Sequence, residues 1–496
     1  MNSQRYGLFN FICRILKSIV ALTALTASLL VGAFGQNNPV PQVVGPPHPQ
    51  AVAPGGADFT LKVYGANFVP GAVVNWNRLP RATTYISGHE VDATILASDI
   101  VSNTAGYITV TNPPPGGGLS SASWSLVEVH DPTATIVPGE PTRNLLGGTE
   151  DHVLLIADFT NDGILDLATG SGTIRLELGN GDGTFNFVSN MTYSALSPFG
   201  DDSMAYGDFN GDGNVDLAYA AGWGSRNNSV FGMAVNFGDG KGTFVPGWQY
   251  RESGEAGSIG VVVAGDLNRD GSLDLVAQGP PALAIFLGNG DGSFAESVTY
   301  PNDLGGETLL ADFNGDGILD LLIQQQRAST FVNPITIAFG NGDGTFKTPV
   351  TIATPSAGCG FGPNVLVTDF NGDGNLDIAF CTATSIGVQI GNGDGTFQKP
   401  TYYDVSSPDY GFSFAVGDFN SDGHTDLLVS AFDQGFLEIL LGNGDGTFQP
   451  RSQVKLPGPP RQSGEEGIGT GDFNSDGLLD FVFQLDATGY GVYLQQ

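Results

Sequence analysis

The chain has 496 residues, 41% of them hydrophobic, and its 51 acidic and 18 basic residues give a formal net charge of −33. This length and hydrophobic content suffice for two or more domains with buried cores, whereas the charge argues against nucleic acid or an anionic membrane as partner and favours cations. The 73 glycines and 29 prolines indicate many tight turns and predict an all-β protein.

Residues 1–35 are predicted to be an export signal. Basic residues precede an apolar stretch at 19–34, and Ala33 and Gly35 supply the small residues that a signal peptidase requires. Threonine and serine interrupt this short stretch, so export is favoured over the alternative of a permanent membrane span. We therefore expect a secreted, cell-surface or periplasmic protein with no stable membrane insertion after cleavage.

Residues 38–128 carry apolar side chains at alternate positions and turn signals about every ten residues, which predicts a small β-sandwich. The stretches 59–71, 73–77 and 112–118 resemble bacterial IPT/TIG-type immunoglobulin-like domains. The resemblance implies a spacer or an interaction module.

An acidic nine-residue pattern, Asp-apolar-Asn-x-Asp-Gly-x-x-Asp, recurs seven times at intervals of 46 to 58 residues. The copies begin at Asp158, Asp208, Asp266, Asp312, Asp369, Asp418 and Asp472. A second pattern, Gly-Asn-Gly-Asp-Gly-Thr/Ser-Phe, alternates with the first and ends at Phe185, Phe294, Phe346, Phe397 and Phe448, and in altered form at Phe244. Apolar runs around both patterns supply four short strands per unit, so the sequence predicts a seven-bladed β-propeller.

The last unit ends at 491–496, in its third strand, so its fourth strand must come from elsewhere. In the complete units the final Phe precedes the next acidic pattern by 18 to 24 residues, and the same distance before Asp158 leads to Thr135, within the β-prone stretch 134–137. We predict that 131–145 supplies the closing strand of a propeller spanning 131–496, which removes an exposed sheet edge. The alternative is that 131–145 is only a linker.

The acidic pattern places oxygen ligands at alternate positions of a curling loop, and Gly at the sixth position permits the sharp turn. The first, third, fifth and ninth side chains, with the seventh carbonyl, form a hard oxygen shell that suits Ca²⁺. The predicted side-chain ligands are Asp158, Thr160, Asp162, Asp166, Asp208, Asn210, Asp212, Asp216, Asp266, Asn268, Asp270, Asp274, Asp312, Asn314, Asp316, Asp320, Asp369, Asn371, Asp373, Asp377, Asp418, Asn420, Asp422, Asp426, Asp472, Asn474, Asp476 and Asp480.

Repetition carries the calcium prediction, because a single acidic turn is more often a solvated Asx-turn. Seven loops with three carboxylates each would oppose folding without cations, so we expect up to seven Ca²⁺ ions. Thr160 replaces Asn in the first copy, which predicts weaker binding there. An EF-hand is excluded, because the twelfth positions hold no Glu and belong to strands.

The Asn-Gly-Asp-Gly segments are predicted to be hairpin turns, with a second set of metal sites as the alternative. Cys13 leaves with the signal, and Cys359 and Cys381 either form a disulfide or remain two buried thiols. Strand alternation places the acidic loops and these turns on one face of the propeller.

The two alternating patterns together resemble the FG-GAP/VCBS repeat and are similar to the integrin α-subunit propeller over residues 158–496. The resemblance implies calcium in the loop that joins the first two strands of each blade. Members of the family serve in adhesion, carbohydrate binding and surface recognition, and the repeat is also found appended to enzymes, so the resemblance implies fold and metal more strongly than biological role.

Catalytic patterns are not recognisable: the five histidines match no known arrangement, and phosphate loops and hydrolase motifs do not occur. We therefore expect a recognition or adhesion module for carbohydrate or extracellular protein ligands. The alternatives are a carbohydrate-active lyase or hydrolase and a structural surface-layer component. Candidate ligand-binding residues on the face away from calcium are Trp223, Arg226, Arg327, Phe331 and Tyr410. Packing between neighbouring blades is the alternative role for each aromatic.

Overall fold

A computed structural model describes residues 37–120, 125–133, 136–145, 153–170, 174–191, 204–223, 230–252, 261–279, 282–301, 306–325, 333–355, 365–406, 412–431, 436–456, 468–486 and 489–496. These residues form an all-β protein whose one helical element is a short 3₁₀ turn at Ala97–Asp99. The predicted export signal, 1–35, lies outside the described residues. Within the described ranges, no helix combines the length and hydropathy needed to cross a bilayer.

Residues 37–120 and 125–130 form a domain of two packed sheets, called the sandwich domain below. Its strands are β1 (Gln42–Val43), β2 (Ala51–Val52), β3 (Phe59–Ala66), β4 (Val73–Trp76), β5 (Leu79–Pro80), β6 (Ala82–Tyr85), β7 (Glu90–Ile95), β8 (Thr104–Asn112), β9 (Gly118–Leu119) and β10 (Ser125–Val129). One sheet has the order β1-β3-β7-β6 and the other β2-β10-β8-β4-β5, with β9 paired to β8.

The core of the sandwich domain follows from the alternation of its strands. In β7, Val91, Ala93 and Ile95 are buried, and the residues between them point outward. These side chains pack with Phe68 and Trp76 in one cluster that both sheets share. The two sheets therefore pack against each other around one shared core.

Seven four-stranded antiparallel sheets follow in the described part of the chain. Their strands are β11 (Thr142–Leu145), β12 (Val153–Ala157), β13 (Asp166–Gly170), β14 (Ile174–Gly179), β15 (Phe185–Met191), β16 (Met204–Gly207), β17 (Asp216–Trp223), β18 (Val230–Gly238), β19 (Phe244–Glu252), β20 (Val261–Gly265), β21 (Asp274–Gly279), β22 (Ala282–Gly288), β23 (Phe294–Pro301), β24 (Gly306–Ala311), β25 (Asp320–Gln325), β26 (Ile335–Ala338), β27 (Val350–Ala353), β28 (Val365–Thr368), β29 (Asp377–Cys381), β30 (Ser385–Gln389), β31 (Thr401–Asp404), β32 (Phe412–Gly417), β33 (Asp426–Ala431), β34 (Phe436–Leu440), β35 (Ser452–Lys455), β36 (Gly469–Gly471), β37 (Asp480–Asp486) and β38 (Gly489–Tyr493).

Six of these sheets consist of four consecutive strands, beginning with β12, β16, β20, β24, β28 and β32. The first strands of neighbouring sheets contact each other. Such contacts join β16 to β20, β20 to β24, β28 to β32, β32 to β36, and β36 to β12. Burial is greatest in the middle strands, where every residue of β25 and β30 is buried, and falls in outer strands such as β31 and β35. Repeated sheets arranged through their first strands form a β-propeller.

The remaining sheet combines the two ends of the propeller sequence, in the order β11-β38-β37-β36. Thr142 pairs with Val492, and an isolated bridge joins Pro138 to Gln495. Pro138 lies 20 residues before Asp158, inside the expected interval of 18 to 24. The strand itself begins later than the expected stretch 134–137, of which residues 134 and 135 lie outside the described residues.

The two repeated patterns meet across the joints between sheets. Phe159 in the first acidic pattern packs edge-on against Phe244, which begins the fourth strand of the next sheet, with ring centroids 5.9 Å apart. An equivalent contact at another joint pairs Phe473 of the last acidic pattern with Phe185 of the first complete sheet, with ring centroids 5.7 Å apart. Each pair buries aromatic surface between neighbouring sheets.

Cys381 is fully buried at the end of β29 and takes part in a disulfide bond. Its expected partner, Cys359, lies outside the described residues.

Candidate metal-binding loops

The seven acidic patterns form loops between the first and second strands of the sheets. They are numbered here in chain order: loop 1 (158–166), loop 2 (208–216), loop 3 (266–274), loop 4 (312–320), loop 5 (369–377), loop 6 (418–426) and loop 7 (472–480).

The first-position aspartate organises each loop from within. In loop 2, Asp208 accepts hydrogen bonds from the N–H groups of Gly211 at 2.7 Å, Asp212 at 3.1 Å and Gly213 at 2.8 Å. Gly213 has a φ of 85°, which explains the glycine at the sixth position. The carboxylate thus folds the backbone around itself, as in an Asx-turn.

The ninth-position aspartate ties its loop to the following hairpin. In loop 3, Asp274 accepts hydrogen bonds from the N–H of Leu267 at 2.9 Å and from the N–H of Gly288 at 2.8 Å, and it is fully buried. The corresponding donor pairs in the other loops are Phe159 and Gly179, Phe209 and Gly238, Phe313 and Gly340, Phe370 and Gly391, Phe419 and Gly442, and Phe473 and Gln495.

Burial changes the acidity of these ninth-position groups. It raises the pKa of Asp274, Asp426 and Asp480 to about 8, and the other carboxylates of each loop add to the rise. None of the ion pairs among the described residues involves a ninth-position carboxylate. In the ionised form, which the raised pKa disfavours, these groups would have only N–H dipoles to compensate their charge within the described part of the chain.

The donor set of each loop fits Ca²⁺, because carboxylate, amide and carbonyl oxygens are its preferred ligands. In loop 3, the Asn268 side chain both donates to Asp270 Oδ2 at 2.9 Å and accepts from its N–H at 3.0 Å, which keeps the third and fifth positions adjacent. Within the described residues, no three His, Cys, Asp or Glu side chains converge on one point, because the loop carboxylates are turned towards backbone N–H groups.

The Asn-Gly-Asp-Gly segments form tight hairpin turns, as predicted. Asn443 N–H donates to Thr447 O at 2.9 Å, and Asp445 accepts from both the N–H and the hydroxyl of Thr447. These bonds lower the pKa of Asp445. The exposed aspartate thus already has two donors within its own turn.

The sandwich domain lies over the acidic loops. The sequence patterns did not predict this arrangement of the two domains. Val40 N–H donates to Asp266 Oδ2 at 2.8 Å. His89 pairs through Nδ1 with Asp312 Oδ2 at 3.1 Å and through Nε2 with Gly374 O at 3.0 Å. Burial of the imidazole acts to lower its pKa, but the bond to Asp312 and the backbone carbonyls raise it overall.

Contacts to later loops extend this interface. Tyr107 Oη donates to Asp472 O at 3.0 Å, and Gln50 Nε2 donates to Thr425 Oγ1 at 2.8 Å. A Cβ added at Gly317, whose φ is 77°, would lie 2.9 Å from the Cα of Gly88, so this position of loop 4 requires glycine for two reasons.

In loop 1, a positively charged side chain of the sandwich domain contacts the first-position aspartate. The Arg78 guanidinium forms an ion pair with Asp158 and also donates to Asn161 O. This is the loop in which Thr160 replaces asparagine, and there the Thr160 hydroxyl bonds to Asp158 at 3.4 Å. Arg78 would therefore compete with a metal ion for the first-position carboxylate of loop 1.

The predicted ligand-binding residues fall mainly on connections beyond the described residues. Trp223 ends β17, where it pairs with Val230. Arg226, Arg327, Phe331 and Tyr410 lie outside the described ranges. Because the acidic loops join first and second strands, the last residues of β17 and β25 lie at the ends of their sheets away from those loops.

Comparison with known proteins identifies the repeat. Residues 158–219, 266–323, 312–380, 369–429 and 418–483 match the family described as FG-GAP-like repeat, and together they exceed half of the chain. No curated protein sequence matches the chain.

Several solved structures are similar to the chain at low identity. An Agrocybe aegerita lectin, described as recognising non-reducing terminal N-acetylglucosamine, is 19% identical with a TM-score of 0.47, over 78% of this chain and 94% of the lectin. An auxiliary nutrient binding protein from Bacteroides ovatus is 11% identical (TM-score 0.35; 92% and 98% covered), and an α-L-arabinofuranosidase from Fusarium graminearum is 14% identical (TM-score 0.39; 66% and 98% covered). The family match and the repeated four-stranded sheets together identify this chain as a β-propeller protein of the FG-GAP-like repeat family.

Proposed function

We propose that the protein is an exported, calcium-binding recognition module for carbohydrate or protein ligands, built as a closed ring of seven blades. The observation that carries the proposal is the set of buried ninth-position carboxylates, which have no cationic side chain as partner among the described residues. A divalent ion in each loop would compensate that charge.

In this proposal the first, third and fifth side chains and the seventh carbonyl of a loop hold the ion, and the ninth carboxylate uses its remaining lone pairs. Bound Ca²⁺ supplies charge compensation and fixes the loop between two strands. Extracellular modules bind calcium with dissociation constants of ~0.1–1 mM, so the predicted export at residues 1–35 would deliver the protein to a compartment where such sites fill.

Ring closure is supported by the pairing of β11 with β38 and by the Phe473–Phe185 joint. The sandwich domain, as an IPT/TIG-type immunoglobulin-like domain, would act as a cap, because its Val40, His89 and Tyr107 contact loops 3, 4 and 7. Because the sandwich domain covers the propeller face that carries the acidic loops, the opposite face remains available for ligand recognition. Trp223, Arg226, Arg327, Phe331 and Tyr410 are proposed to contribute there, since aromatic and arginine side chains dominate binding energy at interfaces.

Binding to a glycan array, with calcium and with excess chelator, tests this function. We expect saturable binding without product release, lost on chelation, and weakened about tenfold or more by Trp223→Ala, equivalent to about 1.4 kcal/mol. Tyr402→Ala is the matched control, because Tyr402 is an exposed aromatic on the outer strand β31 and should leave binding unchanged.

Other outcomes would point to the alternatives. Turnover of a polysaccharide that is lost in Arg226→Ala would instead indicate a carbohydrate-active enzyme. Absence of binding to glycans and to extracellular protein preparations would contradict recognition and favour a structural surface-layer role.

A further inference from the structure

A cavity of about 300 Å³ lies between the sandwich domain and the centre of the propeller. The propeller side of the cavity includes residues from the first strands of five different sheets: Ile156, Tyr206, Val367, Val416 and Thr470. First strands surround the axis of a propeller, so the cavity lies at the axis, beneath the sandwich domain. It has room for several water molecules, since one water occupies about 30 Å³ of liquid.

Glu128 projects into this cavity from β10. Its side chain is 1% exposed, and Oε2 accepts a hydrogen bond from Ser421 Oγ in loop 6. Among the described residues, Oε1 has no hydrogen-bond partner although it is fully buried. An ionised carboxylate left in this state is strongly destabilising unless a cation or a further donor compensates it.

Asp418 lines the same cavity from the propeller side and is 2% exposed. No ion pair among the described residues involves Glu128 or Asp418. Thr425 and Ser125 also line the cavity. The Thr425 hydroxyl accepts from Gln50 and donates to Asp369 O, and the Ser125 hydroxyl donates to Gly45 O, so each oxygen keeps at least one free lone pair. Two buried carboxylates with oxygen donors and space for water match the ligand requirements of a hydrated divalent cation.

We propose that the axial cavity binds one calcium ion between Glu128 of the sandwich domain and Asp418 of the propeller, in addition to the ions of the acidic loops. Asp418 takes part in both sites as a bridging carboxylate. The ion joins the two domains, because each contributes one of its charged ligands.

Ion counting on the full chain tests the proposal. After equilibrium dialysis against calcium, elemental analysis of Glu128→Gln should find at least one ion fewer per chain than in the wild type. Glu438→Gln is the control: Glu438 is equally buried but pairs with Arg451 outside the cavity, and its ion count should equal that of the wild type. An unchanged count in Glu128→Gln would overturn the proposal and indicate a shared proton instead.

A measurement on the wild type removes any dependence on the folding of the variant. Crystals grown with calcium and measured at long wavelength should show an anomalous peak within coordination distance of Glu128 Oε1 and of an Asp418 oxygen. Peaks confined to the acidic loops, or no peak at all, would contradict the axial site.

Discussion

Asp274→Ala is expected to lower the free energy of unfolding by about 2–6 kcal/mol, since two buried N–H groups would each lose their acceptor at about 1–3 kcal/mol. Asp274 is fully buried and accepts hydrogen bonds from Leu267 in loop 3 and from Gly288 at the end of β22. The substitution also removes a proposed calcium ligand. Urea unfolding at saturating calcium, followed by tryptophan fluorescence and circular dichroism, measures the loss.

Asp291→Ala provides the matched control within the same sheet. Asp291 lies in the turn between β22 and β23, is exposed to solvent, and accepts hydrogen bonds only from Ser293 among the described residues. Its loss should leave the unfolding midpoint nearly unchanged. Equal effects of the two substitutions would contradict the structural role assigned to the ninth position.

Removal of calcium is expected to lower the melting temperature by about 10 °C or more. An ion that binds only the folded state stabilises it by about 1.4 kcal/mol at ten times its dissociation constant and by about 2.7 kcal/mol at a hundred times. Several loops filled together therefore add several such increments. Calorimetric melting in ~10 mM calcium and in excess chelator gives the comparison, since the expected dissociation constants are ~0.1–1 mM.

Potassium chloride at the same ionic strength is the control for that melting experiment. It screens the net charge of −33 without occupying the loops. If potassium raised the melting temperature as much as calcium does, the stabilisation would be general screening rather than specific binding.

The repeated patterns allowed the sheet architecture to be predicted, because each copy places turn residues and strands at the same intervals. The structure adds a reason for both aromatic positions: Phe159 meets Phe244 across a joint between sheets. Sequence spacing cannot reveal that contact, since the two residues belong to different units. Likewise, Asp274 matches a ligand position in the pattern, but its bond to Gly288 depends on the folded hairpin.

The docking of the sandwich domain could not be predicted in the same way. Arg78, His89 and Glu128 are single residues without a repeated pattern, and their partners Asp158, Asp312 and Ser421 lie far along the chain. Only packing of the two domains brings them together. The covered loop face is consequently a property of tertiary structure, whereas the acidic loops are a property of local sequence.

Long-wavelength anomalous diffraction, at which calcium gives a strong signal, tests most directly whether the loops hold calcium ions. Crystals grown in ~10 mM calcium, well above the expected dissociation constants, should show a peak enclosed by the first, third and fifth side chains in loops 2 to 7, with a weaker or missing peak in loop 1 beside Arg78. Loops without anomalous density under these conditions would contradict calcium as the ion that compensates their buried carboxylates.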